Sequence, residues 1–128
     1  MTRTQLIKQA FVILFIIVLL HISASVFFLY SYYWWFDIPL HFLAGCFAGS
    51  FTLWFFGKKL QKSTILFSLS YVLMGTFIVG TSWELFEYFA SITQNSIGSY
   101  PLDTLKDMAV DLLGGVSSFV YFSLNRHR

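Results

Sequence analysis

The sequence predicts an all-α, polytopic membrane protein folded as a four-helix transmembrane bundle, one domain covering residues 1–128. Three observations carry this expectation. The chain is 57% hydrophobic and only 11% charged, whereas a soluble domain is about 25% charged, and its mean hydropathy is +0.71. Four apolar stretches each reach the roughly 20 residues that a helix needs to cross a bilayer. All six acids, Asp37, Glu84, Glu87, Asp103, Asp107 and Asp111, lie in or beside those stretches, so none belongs to an ordinary solvated surface. The composition leaves no room for a soluble domain. Cys46 is the single cysteine, which excludes an intrachain disulfide and a Cys-based metal cluster. The net charge of +2 matters less than where the charges fall. The expected partner is the lipid bilayer, not nucleic acid.

The first span is expected over residues 6–30. Arg3, Lys8 and the small residues Ser23-Ala24-Ser25 have the outline of a signal peptide. The apolar run nevertheless continues through Val26-Phe27-Phe28-Leu29-Tyr30, so an uncleaved span is expected. The second span follows an aromatic connection and covers 38–56. The third covers 64–91 after a basic connection. The fourth covers 105–124 after a polar connection with Gly98 and Pro101 as breakers. Basic residues set the orientation. Arg3, Lys8, Lys58, Lys59, Lys62, Arg126 and Arg128 fall on one side and Lys106 alone on the other. The positive-inside rule makes the first side cytoplasmic, with both termini, in a cell (inner) membrane. Tyr30, Tyr32, Tyr33, Trp34 and Trp35 then anchor the outer interface, and Trp54 lies near the inner one.

This topology gathers the polar residues. Asp37 and His41 open the second span, Glu84 and Glu87 close the third, and Asp103, Asp107 and Asp111 open the fourth. Antiparallel packing brings all of them into the outer half of the membrane. The i, i+4, i+8 spacing of the three aspartates keeps them on one helix face. Gly45 and Gly49 follow His41 at four-residue steps, Thr76 and Gly80 precede Glu84, and Gly114, Gly115 and Ser118 follow Asp111. The acid-bearing faces are thus also the faces that allow close helix approach. A carboxylate at a span centre costs about 2.5–3.5 kcal/mol on insertion scales, and Lys106 neutralises only one. The set Asp37, His41, Glu84, Glu87, Asp103, Asp107 and Asp111 therefore reads as candidate ligands for Mg²⁺, Mn²⁺, Ca²⁺ or Zn²⁺, oxygen-rich with one imidazole. Glu84 and Asp107 are the candidate catalytic carboxylates, and Lys106 the candidate holder of an anionic head group.

Blander roles compete. Asp37 and Asp103 suit helix N-caps, Glu87 suits the interface, and Glu84, Asp107 and Asp111 suit a protonated interhelical clasp. His21, with Ser25 one turn on, reads as an interhelical hydrogen-bonding residue, and His127 as a tail residue.

Asp37-Ile38-Pro39-Leu40-His41-Phe42 resembles the D-x-x-x-H-F opening of VanZ-like proteins. Trp83-Glu84-Leu85-Phe86-Glu87-Tyr88, together with Asp103-Thr104-Leu105-Lys106-Asp107-Met108, resembles the YjdF-like inner-membrane proteins, with their W/Y-E-x-x-E and D-T-x-x-D-M segments. The resemblance runs from about Asp37 to Gly115 and implies a small helical membrane protein of uncharacterised biochemistry. Two functional expectations follow from the residues. One is a hydrolase or transferase acting on a lipid-linked substrate, with metal polarising the reacting group and a carboxylate as base. The other is a cation- or proton-handling or accessory membrane protein, oligomeric if an ion path is to be completed.

The charge pattern makes one direct prediction. Single cysteines introduced at Thr2 or Arg128 should resist a membrane-impermeant maleimide in intact cells and react once the membrane is permeabilised. Labelling from outside would reverse the orientation.

Overall fold

The structure, a computed structural model, describes residues 2–60, 63–90 and 99–125. The expected breaker Gly98, the basic residues Lys62, Arg126 and Arg128, and His127 lie outside the described residues. α1 (Arg3–Val26) opens on a capping box. The Thr2 hydroxyl accepts from Gln5 N at 3.2 Å, and Gln5 Oε1 accepts from Thr2 N at 2.7 Å. The helix does not continue to Tyr30 as expected. Phe28 takes a left-handed backbone conformation (φ 55°), which stops the helix. The short α2 (Leu29–Tyr32) then carries the chain aside.

α3 (Asp37–Phe55) starts after Phe36, whose side chain makes no capping bond. Asp37 is therefore not the N-cap. It sits in the first turn, where the exposed amide dipoles favour a negative charge. α4 (Gly57–Leu60) is one turn, and α5 (Ile65–Ala90) returns across the bundle. α6 (Tyr100–Leu124) begins earlier than the sequence suggested. Ser99 provides the extended entry residue, and Pro101, pre-set for helix, lies in the first turn. Asp103 consequently lies inside the helix and is not its cap. α1, α3, α5 and α6 are each long and apolar enough to cross a membrane. Large apolar side chains such as Phe15, Leu66, Phe89 and Leu124 point outward, as a lipid-facing surface requires.

α3 is the hub. It packs along α1, α5 and most extensively α6, while α5 also lies against α6; α1 makes no extended contact with α5 or α6. The α3–α6 contact is a backbone-to-backbone approach. A Cβ at Gly45 would overlap the Asp111 carbonyl, and one at Gly114 would overlap the Phe42 carbonyl. Gly49 meets Gly115 one turn further along, with the Gly115 Cα 3.1 Å from where a Gly49 Cβ would stand. Beyond the glycines, Ser118 donates to the Cys46 carbonyl (2.7 Å) and lies 3.1 Å from the Ser50 hydroxyl. α5 and α6 interlock differently. The hydroxyl of Thr76 occupies the space left by Gly115, and the carboxylate of Asp111 the space left by Gly80.

The two ends of the bundle differ in chemistry. At the end away from the acids, Leu6, Leu53, Leu60, Val72, Phe119 and Phe122 form a dry cluster flanked by Trp54 and Tyr71. Arg3 stacks over Trp54 at 5.5 Å, and Lys59 bonds the Tyr71 hydroxyl at 2.8 Å.

Closing the α3–α6 gap should be costly. Gly45→Ala and Gly114→Ala are each expected to lower stability by about 1–3 kcal/mol, since added methylenes force backbones apart. Gly57→Ala, whose Cβ would meet only the Arg3 side chain at 3.7 Å, should be neutral. Unfolding midpoints in mixed detergent micelles would show the difference.

Candidate metal centre

His41 lies at the centre of the acidic end because Gly45, one turn later on α3, seats against Asp111. Its side chain is 4% exposed. The two ring nitrogens face different partners. Nδ1 is 3.3 Å from Asp111 Oδ1. Nε2 faces three carboxylates: Asp37 Oδ2 at 3.6 Å, Asp107 Oδ2 at 3.7 Å and Glu84 Oε1 at 4.0 Å. Three helices thus supply one imidazole face, with Asp37 from α3, Glu84 from α5 and Asp107 from α6. Ligand atoms of Asp37, His41 and Asp107 all lie within 4.8 Å of one another. Such a group, drawn together around a nitrogen, has the donor types of a borderline divalent ion.

Lys106 bounds the other side of the cluster. Its ammonium is 2.9 Å from Asp103 Oδ1, 3.0 Å from Asp107 Oδ1 and 3.9 Å from Asp37 Oδ2. The side chain expected to hold an anionic head group is therefore engaged by carboxylates of its own chain. Five carboxylates, those of Asp37, Glu84, Asp103, Asp107 and Asp111, face two groups able to carry positive charge, Lys106 and His41. Two ionised carboxylates 4.8 Å apart repel by about 3 kcal/mol at an effective dielectric of 20. The cluster therefore needs protons or a cation.

The remaining candidates separate. Glu84 Oε2 accepts from the Thr104 hydroxyl at 2.8 Å, and its backbone carbonyl accepts from the Tyr100 hydroxyl at 3.2 Å. Its Oε1 is buried without a hydrogen-bond partner, as is Asp111 Oδ2. Asp103 reaches the cluster through Lys106 and not through His41. Glu87 accepts from the Trp83 indole at 3.0 Å, one turn away on its own helix, and lines a cavity beside the cluster.

That cavity, about 190 Å³, lies among α1, α3 and α5, with Asp111 of α6 at its back. His21 belongs to its wall. The ring bonds the Tyr30 hydroxyl at 2.8 Å through Nδ1 and meets Trp83 edge-on at 6.3 Å. Ser25, one turn on, donates to the His21 carbonyl within α1. Burial pushes the Tyr30 phenol up, with the Asp37 and Glu87 carboxylates adding to the effect, so its hydroxyl keeps its proton.

Several of these residues escaped the sequence reading. Tyr30 appeared there only as an interfacial anchor, Thr104 only within a motif and without a role, and Tyr100 not at all. A tyrosine or threonine beside a helix start carries no pattern that marks a partner 16 or 20 residues away. Thr76 was noted only as a small residue, yet its buried hydroxyl, set against Gly115 of α6, lacks a partner, and the residue lines the cavity.

Comparison with known proteins agrees with the membrane character and adds no chemistry. Neither the curated proteins nor the solved structures give a significant match. One family profile, described as "Predicted membrane protein (DUF2238)", matches residues 1–128. Four apolar helices closed around a buried acidic cluster, together with that match over the full length, place the chain in the DUF2238 family of membrane proteins.

Proposed function

We propose that this protein holds a divalent cation in its membrane-embedded acidic cluster and uses it for hydrolysis or transfer on a lipid-linked substrate. The observation that carries the reading is the double-sided environment of His41. A metal-ligating histidine keeps one nitrogen for the ion and gives its other N–H to a carboxylate, which fixes tautomer and orientation. Asp111 Oδ1 stands where that outer carboxylate belongs, at 3.3 Å from Nδ1. Nε2 is left facing Asp37, Asp107 and Glu84. An ion with ligand bonds of about 2.1 Å holds neighbouring ligand atoms about 3.0–3.4 Å apart. The N···O separations of 3.6–4.0 Å need only a small inward movement to meet that spacing. Asp37 and His41 are also the two residues through which the chain resembles VanZ-like proteins.

In this reading Asp37, His41 and Asp107 are the ligands, and a bound ion would supply Lewis-acid polarisation. Glu84 serves as base through Oε1, the oxygen without a hydrogen-bond partner. It takes the proton of the attacking water while the water oxygen bonds to the substrate's phosphorus or carbonyl carbon. The leaving oxygen departs with that proton. Thr104 holds Oε2 and so orients the acid. Lys106 offsets charge on Asp103 and Asp107. A lipid-linked substrate fits because the cavity that reaches His41 and Asp111 has mostly apolar walls.

The alternative is a cation- or proton-handling or accessory protein whose acidic cluster is structural. The dry cluster at the other end counts against a path through one copy. Among the described residues, the buried polar side chains nearer that end are Ser50, Thr52, Ser68 and Ser118, and each has a hydrogen-bond partner.

The test is thermal unfolding in detergent with and without chelator, with Mg²⁺, Mn²⁺, Ca²⁺ and Zn²⁺ added back. At about 100 times its Kd the right ion adds about 2.7 kcal/mol, so chelation should lower Tm visibly. Asp107→Asn and His41→Gln should abolish the response, and Glu87→Gln, outside the cluster, should preserve it. The ion's effect should fade as pH falls, because protons compete for the imidazole and the carboxylates. A wild-type midpoint indifferent to every ion would remove the metal and leave the structural alternative.

A further inference from the structure

The cavity beside the candidate metal centre is only partly enclosed. α1 supplies one side wall with Leu14 and Ile17, α5 the other with Val79, and α3 the floor with Ala44, Phe47 and Ala48. No extended contact between α1 and α5 closes the crevice. Val79 and Trp83 are 38% and 40% exposed at its edge. A slot with apolar walls that faces hydrocarbon will be filled by hydrocarbon, since lipid chains are the solvent there.

The back of the slot has the opposite character. Asp37, Glu87 and Asp111 are the acids of the lining, and among the described residues no lysine or arginine lines it, His21 and His41 being its basic side chains. Asp111 is 2% exposed and its Oδ2 has no hydrogen-bond partner; Thr76 is 1% exposed and its hydroxyl has none either. Gly80 leaves the space in which Oδ2 sits. This oxygen is distinct from Oδ1, which serves His41. A buried carboxylate oxygen without a donor is costly, and a charge-assisted hydrogen bond is the strongest remedy.

We infer that the crevice between α1 and α5 binds one membrane lipid with a primary-ammonium head group, its acyl chain along Leu14, Ile17, Ala44 and Val79 and its ammonium at Asp111 Oδ2. The carboxylates of the lining favour the cation. That this lipid is the substrate rests on the metal reading above; its residence in the crevice does not. The His21–Trp83 contact lies where α1 and α5 side chains meet and bounds the slot at its polar end.

The experiment uses the full chain in nanodiscs containing phosphatidylethanolamine with a diazirine on one acyl chain. Irradiation should cross-link the lipid to α1 and α5 peptides that include Ile17 and Val79. Unlabelled phosphatidylethanolamine should compete about tenfold better than phosphatidylcholine, which lacks N–H donors, and phosphatidylglycerol should compete no better than phosphatidylcholine. Ala44→Trp and, independently, Ile17→Trp should fill the slot and abolish the cross-link. Both variants should retain the chelator-sensitive Tm of the wild type. Cross-linking at these positions that matches that at the lipid-facing Phe15 and Leu66, or that survives both tryptophans, overturns the site. Equal competition by phosphatidylglycerol overturns the ammonium preference. A wild-type Tm indifferent to chelator, with the cross-link intact, removes the metal reading and leaves the lipid site standing.

Discussion

The contact on which the rest depends is the glycine-to-backbone approach of α3 and α6. Gly45 lies against the Asp111 carbonyl and Gly114 against the Phe42 carbonyl. Two helices meeting through side chains sit 8–10 Å apart, and glycine removes the side chains that hold them there. His41 is one turn before Gly45, and Asp111 one turn before Gly115. The close approach therefore fixes the 3.3 Å separation of imidazole and carboxylate. It also brings Asp107, a further turn along α6, under the other ring nitrogen. A bundle built on leucine at those positions would hold the same acids too far from His41 to share an ion.

The second constraint is charge in a medium that does not solvate it. The acidic end keeps its carboxylates buried, with Glu84, Asp103, Asp107 and Asp111 all under 7% exposed. The other end is closed by leucine, valine and phenylalanine. Among the described residues this division gives the molecule a polar end and an apolar end. It also explains why the cavity reaches the cluster from the side. α1 packs extensively on α3 and makes no extended contact with α5, so the cavity lies between them, on the side of the bundle away from the apolar base.

Much of the fold was legible in the sequence, because the bilayer imposes a length and a composition on every span. The alternation of the basic residues between the two sides, with Lys106 alone on one of them, puts the acids of three helices at one end. The errors fell at helix ends. Asp37 and Asp103 read as caps, but the cap positions are Phe36, one residue earlier, and Ser99, four residues earlier. Local cap chemistry competes there with the entry angle of the chain, and tertiary packing sets that angle. The early stop of α1 at Phe28 had no signal, since an aromatic residue is among the last expected in a left-handed turn.

The sequence by itself determined the class of molecule, the number of apolar helices long enough to span, and the placing of the acids of α3, α5 and α6 at one end of the bundle. Those follow from hydropathy, charge and four-residue spacing, which are one-dimensional properties. Only the tertiary structure decided how the cluster is divided. It placed Asp37, Glu84 and Asp107 on one nitrogen of His41 and Asp111 on the other, gave Lys106 to Asp103 and Asp107, and left Glu87 to Trp83. It also decided that α1 makes no extended contact with α5 and that a cavity lies among α1, α3 and α5. Helix rotation and interhelical distance settle such matters, and these come from glycine contacts between segments some 70 residues apart, a relation that no local pattern in the chain records.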